Sequence, residues 1–388
     1  MNILFFANRI IYGGGERVRN WLANNLINSG HKVIYAIPSN SEHLYGEIEN
    51  VGLKDKVIIV EYPFSIKKKA PRKYWKTINE LYRKNGIDLL IYFGGSAIEQ
   101  IIARSLGVKV LLSERCDPHS RSVASQILKQ IQYRVADSYV FQTPAAAKCY
   151  GTRAYKLSTI IPNPILDKSP EPIFNNLRKE IVSVGRLSKE KNQILLLQAF
   201  KKIHETIPDY SLSIYGSGPL ESMLNEFVVN NRLDNKVHII KGKTNITELI
   251  NGASLFVLPS NTEGMPNALI EAMSMGVLSV STDCPIYGPR YLIKHGENAY
   301  LTPVGNVDKL AEIILYALND KNADIIRRNA SGIRQTLDAN KIFSYWLQCI
   351  ESVVKEKSIF NHSDCYIIGN TIGIYLYVRS EKKYCSSN

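Results

Sequence analysis

The chain has 388 residues, 45% hydrophobic and 21% charged, which excludes a disordered polypeptide and leaves enough sequence for two buried cores. Its net charge of +13 is uneven: residues 1–165 carry 23 Lys/Arg against 12 Asp/Glu, and residues 166–388 carry 25 against 23. No apolar run approaches the ~18 residues of a membrane span, and the six scattered cysteines form no C-x-x-C pair, which speaks against a disulfide scaffold or zinc site and for a reducing cytoplasm.

The N-terminus, MNILFFANRI, reads as a first strand and not as a signal peptide, because Asn8 and Arg9 interrupt it and no basic leader precedes it. Apolar, β-branched runs then predict strands near 2–6, 32–37, 57–60, 88–93, 109–112, 138–142 and 158–161 in the first half. In the second half they fall near 181–184, 211–215, 237–240, 255–258, 277–281 and 299–301. Such runs, bounded by Gly, Pro, Asn or Asp and alternating with helical patterns, fit parallel sheets covered on both faces. The fold class expected is α/β, with two doubly wound Rossmann-like domains facing a central cleft.

Between the first strand and first helix lies Gly13-Gly14-Gly15-Glu16-Arg17-Val18. Glycines let backbone N–H groups approach an oxyanion at a helix N-terminus, although a plain strand–helix turn needs the same residues. The spacing is not G-x-G-x-x-G, so a dinucleotide site is poorly supported. Further on, Lys67-Lys68-Lys69-Ala70-Pro71-Arg72-Lys73-Tyr74-Trp75-Lys76 is the densest basic run, with two aromatics embedded. After the strand near 109–112 comes Ser113-Glu114-Arg115-Cys116-Asp117-Pro118-His119, a polar cluster at a strand end. A Cys116/His119 nucleophilic pair there lacks an identifiable orienting group.

Residues 160–180 hold four prolines and no periodicity, and are expected to link a domain of residues 1–165 to one of residues 166–339. Strand 181–184 runs into Val184-Gly185-Arg186-Leu187-Ser188-Lys189-Glu190-Lys191-Asn192. A solvated basic loop would look similar, but at a strand's carboxyl end Arg186 and Lys191 suit a diphosphate clamp. Tyr215-Gly216-Ser217-Gly218-Pro219 repeats the strand, glycine turn, helix pattern.

The richest segment is Pro259 to Met273. Thr262 is expected to cap the next helix, Pro266 to sit at its first position and Gly276 to close it. Glu263 then falls in the loop and Glu271 in the second helical turn. Carboxylates accept hydrogen bonds from vicinal hydroxyls, so the pair suits a sugar and a ribose. An acidic first turn stabilising the helix dipole explains Glu263 but explains Glu271 poorly. Residues 340–357 form one more amphipathic helix, expected to pack back on the first domain. The tail 358–388, rich in Tyr and Ile, reads as an edge strand or an unstructured end and is assigned no role.

Taken together over residues 1–355, the Gly13–Val18 loop, GRLSKEKN, YGSGPLES and EGMPNALIEAMSMGVLSVSTDCPIYGP resemble glycosyltransferase family 4, a retaining, nucleotide-sugar-dependent family of GT-B fold. SERCDPH is similar to the SER-x-DP pattern of members that build bacterial capsule, exopolysaccharide or O-antigen. The spacing of Glu263 and Glu271 matches the family's E-x7-E. The resemblance implies that Arg186 and Lys191 bind the donor diphosphate, Glu271 the ribose and Glu263 the transferred sugar. It puts Gly14, Gly15, Gly185, Gly216, Gly218, Gly264, Met265, Pro266 and Asn267 around the donor, and Glu114 and Arg115 near the anomeric centre. It also implies front-side displacement, in which the leaving phosphate receives the acceptor's proton. One departure is Arg290-Tyr291 after Gly288-Pro289, where an acidic residue and aliphatics are frequent.

The chain contains no Asp-x-Asp, so metal-independent chemistry without a cofactor is expected. The donor is expected to be a UDP-sugar carrying a hexose or N-acetylhexosamine, and the acceptor a glycan, in particular one on a lipid diphosphate. The positive balance first raises nucleic acid, but no recognised motif accompanies it. An anionic membrane surface accounts better for Lys67, Lys68, Lys69, Arg72, Lys73 and Lys76, with Trp75 and Tyr74 at the interface. The expected place is the cytoplasmic face of the inner membrane, as a peripheral enzyme in surface polysaccharide synthesis. The competing functions are a nucleotide-sugar 2-epimerase on the same fold and a non-catalytic nucleotide-sugar or RNA-binding protein.

Overall fold

The computed structural model describes residues 1–10, 13–66, 70–93, 97–115, 133–166, 169–241 and 246–355, and two short strands in the C-terminal segment. Seven strands build the first sheet: β1 Asn2–Phe6, β2 Lys32–Pro38, β3 Ile58–Tyr62, β4 Leu89–Tyr92, β5 Lys109–Ser113, β6 Ser138–Phe141 and β7 Ser158–Ile160. Six build the second: β8 Arg178–Val184, β9 Ser211–Tyr215, β10 Val237–Ile240, β11 Ala253–Leu258, β12 Ser279–Thr282 and β13 Tyr300–Thr302. Their orders are β3-β2-β1-β4-β5-β6-β7 and β10-β9-β8-β11-β12-β13, and the pairings within both are parallel.

Parallel strands force crossovers, and helices supply them on both faces, so strands such as Leu89–Tyr92 and Ala253–Leu258 are buried at every position. Each sheet reverses its winding once, between β1 and β4 in the first and between β8 and β11 in the second. A crevice opens at such a switch point, beyond the strands' carboxyl ends. The loops after β1, β8 and β11 emerge there, and these are the segments that hold the glycine loop, Arg186 and Glu263. The expected architecture of two doubly wound, Rossmann-like domains is therefore the observed one.

Residues 161–177, the proline-rich segment, form neither helix nor strand where described. They are nonetheless fastened: Ile165 N–H donates to the Leu337 carbonyl at 3.0 Å, and Arg334 reaches the Ser169 carbonyl and Glu171. The Ala339–Lys355 helix packs against the first sheet. Trp346 is fully buried and stacks on Phe93 with ring centroids 6.0 Å apart, while Phe343 meets Trp21 edge-on. One continuous buried cluster thus runs from Phe5 and Ile91 through Trp346 to Met265 and Phe256. In the C-terminal tail, Tyr366–Ile368 and Tyr375–Tyr377 pair antiparallel as a two-stranded sheet.

Candidate functional site

The second domain contributes the deeper wall. Val184 ends β8, and its chain turns at Gly185 into Arg186. The turn after β9 lies directly against it: Gly185 N–H donates to the Tyr215 carbonyl at 3.0 Å and Leu187 N–H to the Ser217 carbonyl at 3.0 Å. A Cβ at residue 216 would stand 1.9 Å from the Gly185 oxygen, so only glycine permits this backbone approach. Between the two turns opens a cavity of about 710 Å³ lined by Gly185, Arg186, Tyr215, Gly216, Ser217, Gly218, Ile240 and Ile246. Arg9, from the end of β1, closes it from the other domain. Arg9 was not singled out in the sequence, because nothing local marks it.

Lys191 packs its side chain against Gly185, one of the cavity's lining residues; its Nζ sits 2.6 Å from Glu263 Oε1, and Ser260 Oγ donates to the same oxygen at 2.6 Å. The two loops are stitched: Asn261 N–H donates to the Glu190 carbonyl, Asn261 Nδ2 to the Lys189 carbonyl, and Asn192 Nδ2 to Asn261 Oδ1. Asn192 is left-handed (φ 49°) at the start of the Gln193–Ile203 helix, which turns Lys191 back toward Glu263. Glu263 is 7% exposed, so its charge is supported by a half-buried ammonium and a hydroxyl.

The helix after this loop spans Asn267–Ser274. Pro266 is its N-cap residue in extended geometry (φ −78°, ψ 109°), one position earlier than expected. Thr262 lies four residues further upstream and does not cap it, so the capping expectation is corrected. Gly276 follows the helix with φ 66° as expected of a closing glycine. Glu271 lies in the second turn, buried, and Arg17 Nη1 of the first domain stands 2.9 Å from its Oε1. Asn267 Nδ2 approaches the Gly14 carbonyl at 3.5 Å. The N-termini of the Gly14–Asn28 and Asn267–Ser274 helices therefore converge, with Gly14, Gly15, Pro266 and Asn267 between the domains.

The SER segment takes a different place. Glu114 is buried and accepts from the Tyr133 hydroxyl at 3.2 Å. The Arg115 guanidinium lies over the Phe93 and Trp346 rings, 5.0 and 5.6 Å from their centroids, and bonds Asn163 Oδ1 and Ser113 Oγ. Desolvation lowers its pKa to about 9, which still leaves it charged at neutral pH. The Arg115 side chain is thus engaged in the domain junction, while the Glu114 carboxylate meets Tyr133 within the first domain.

Asn163, in the proline-rich segment, is the hub that sequence reasoning missed. Its Oδ1 accepts from Gln142 Nε2 at 2.8 Å and from Arg115, and its Nδ2 donates to the Met265 carbonyl at 3.1 Å and to Asn267 Oδ1 at 2.6 Å. Met265 is buried in that junction, and Gly264 lies against the Arg115 carbonyl. The only available signal was a lone polar residue between Pro162 and Pro164. Arg290 is engaged by Asp283 and lies over the Tyr287 ring.

Cys116, His119, Lys67, Lys68 and Lys69 lie outside the described residues. Arg72, Lys73 and Lys76 are exposed on the Pro71–Lys84 helix. Trp75 is half-buried against the core beneath that helix. Tyr74 is fully buried with its hydroxyl on Glu99, so it does not face an interface as expected, because it occupies the helix's inner stripe. No helix among the described residues is long and apolar enough to cross a membrane, and none of their His, Cys, Asp and Glu side chains cluster in threes as a metal site.

Residues 167–332 match the family model described as "Glycosyl transferases group 1". An uncharacterized glycosyltransferase of Haemophilus influenzae is 26% identical over 88% of this chain and 94% of its own length. A Campylobacter jejuni enzyme, GalNAc-alpha-(1->4)-GalNAc-alpha-(1->3)-diNAcBac-PP-undecaprenol alpha-1,4-N-acetyl-D-galactosaminyltransferase, is 25% identical over 91% of this chain and 99% of its own. Among solved structures, Anabaena HepE in complex with UDP-glucose superposes with a TM-score of 0.75 at 19% identity, over 91% of this chain and 100% of that one. Model, relatives and fold agree on a glycosyltransferase of the GT-B type.

Proposed function

We propose that this GT-B glycosyltransferase moves a hexose or N-acetylhexosamine, with retention of anomeric configuration, from a UDP-sugar to a glycan carried on a lipid diphosphate. The observation that carries the reading is the cavity that Arg186 and the two glycine turns line, with Lys191, paired to Glu263, packed against its Gly185. A cavity of that size fits a nucleoside, a guanidinium at its mouth suits a diphosphate, and a carboxylate beyond it suits sugar hydroxyls. The Campylobacter enzyme's undecaprenol-diphosphate acceptor and the UDP-glucose held by the Anabaena protein support the choice of partners.

In this reading the bond from the anomeric carbon to the β-phosphate oxygen breaks while an acceptor hydroxyl oxygen bonds from the same face. The acceptor's proton passes to the departing phosphate. Arg186 and Lys191 stabilise the charge that gathers there, in a cleft where preorganised cations act strongly. Amides at the converging helix N-termini, near Gly14–Gly15 and Met265–Asn267, add partial positive charge. Glu263 holds the sugar and Glu271 the ribose. The reaction is expected to continue in EDTA, since these cations stand where a chelated metal would otherwise act. The first domain takes the acceptor, and its exposed Arg72, Lys73 and Lys76 set it against the anionic cytoplasmic face of the membrane.

The test is a panel of UDP- and GDP-sugars incubated with the full chain and an undecaprenyl-diphosphate-linked glycan, with product mass and anomeric configuration read by mass spectrometry and NMR. A UDP-sugar giving a glycan longer by one α-linked residue is the expected result. Epimerised donor without transfer, or an inverted linkage, would overturn the reading.

A further inference from the structure

Arg17 was read in the sequence only as part of a glycine loop, yet its guanidinium touches the carboxylate assigned to the donor ribose. Its main chain is fixed one turn into the Gly14–Asn28 helix, where Arg17 N–H donates to the Gly13 carbonyl at 3.1 Å. Its side chain crosses from the first domain to the second. The Arg17 side chain keeps 39% of its surface in solvent, whereas Glu271 keeps 6%. A carboxylate so deeply placed is costly unless a cation and hydrogen-bond donors meet it. At 2.9 Å Arg17 brings a cation to Glu271 Oε1.

We propose that Arg17 is the positioning residue for Glu271: it fixes the carboxylate in place, aimed at the donor's ribose, and does so only when the two domains are together. This deepens the donor-site reading above and rests on it. The cation enters from the other domain, so drawing the domains apart removes it from Glu271. Ribose recognition is consequently complete in the closed cleft and weakened in an opened one. Two helix N-termini converge at this same place, and their like partial charges favour closure only with negative charge between them. Glu271 supplies part of that charge, and the donor diphosphate supplies the rest.

The experiment measures, by calorimetric titration of the full chain, the affinity for UDP and for 2′-deoxy-UDP, or for GDP and 2′-deoxy-GDP if GDP binds more tightly. Proteins are the wild type, Arg17→Gln, Arg17→Lys, Glu271→Gln and the Arg17→Gln/Glu271→Gln double variant. The wild type is expected to prefer the ribonucleotide by about tenfold, the worth of one hydrogen bond to a charged group. In Arg17→Gln the preference falls below about threefold, Arg17→Lys restores most of it, and the double variant discriminates no less than Glu271→Gln alone. A merely structural Arg17 would weaken both nucleotides equally and leave the ratio unchanged, and that result overturns the inference while the donor site stands. Failure of the wild type to bind either UDP or GDP overturns the donor-site reading, and the inference with it.

Discussion

Lys191 and Glu263 are 72 positions apart in the chain and meet at 2.6 Å, held by a loop-to-loop seam that neither residue makes itself. Replacing Glu263 by Gln keeps the shape and removes the charge. Initial transfer rates are expected to fall by about 10²–10³ in kcat/KM, as for other preorganised electrostatic groups. Lys191→Met should fall similarly. The double variant should lose far less than the product of the two, because the residues act as one unit. Additive losses in a complete kinetic cycle would refute the pairing as a functional one.

Gly216→Ala is expected to abolish donor binding while leaving the first domain folded. Its Cβ would sit 1.9 Å from the Gly185 carbonyl oxygen, and the turn bearing Arg186 must then move. Nucleotide titration should show affinity lost by at least about tenfold, since displacing the clamp removes more than one charge-assisted contact. Wild-type affinity in this variant would mean that the cavity between the two turns is not where the nucleotide lies.

Asn163→Asp replaces two donor hydrogens with an acceptor oxygen facing the Met265 carbonyl and Asn267 Oδ1. The residue is 2% exposed, so water cannot relieve the conflict. Stability is expected to drop by about 1–3 kcal/mol per orphaned buried group, read as a lower urea midpoint.

The pH dependence of stability should carry the mark of the tyrosine cluster around Glu99. Burial first, and the Glu99 charge second, hold the phenols of Tyr62, Tyr74 and Tyr82 above their ordinary value. A raised native pKa means the folded state keeps a proton that the unfolded chain releases near pH 10. The stabilisation is therefore complete below about pH 10 and is lost as pH climbs above it, by about 1.4 kcal/mol per pH unit for each phenol. Urea midpoints between pH 8 and 11 should fall less steeply in Tyr74→Phe than in the wild type.

Charge reversal of Arg72, Lys73 and Lys76 to Glu should abolish flotation with vesicles containing anionic lipid and leave nucleotide binding intact. Each lost cation is worth about 1 kcal/mol at such a surface. Unchanged flotation would assign the membrane contact to another face.

How much was legible follows from the range of each interaction. Thirteen strands were readable as apolar runs because burial on both faces writes itself locally. Their ends were less so: β8 begins at Arg178, ahead of the expected 181, because polar residues there still pair with the neighbouring strands, Arg178 with Ala253 and Glu180 with Ser211. Arg186, Lys191, Glu263 and Glu271 stood out because strand-end loops concentrate function in such sheets. Arg17 and Asn163 did not, since each acquires a partner across the domain junction, and no periodicity encodes a partner 104 residues away; Arg9 reaches the cavity only once the two domains have met. Tyr74 misled because an aromatic beside lysines looks the same whether its helix turns it outward or inward.

The helix Ala339–Lys355 gives the first domain a debt to the far end of the chain. Trp346 completes an aromatic wall begun by Phe93, so residues 1–165 leave the ribosome with that wall open. At ordinary translation rates the missing helix arrives on the order of ten seconds or more later. Through that interval the nascent first domain displays apolar surface around Phe93. A truncation before residue 339 would make this transient vulnerability permanent.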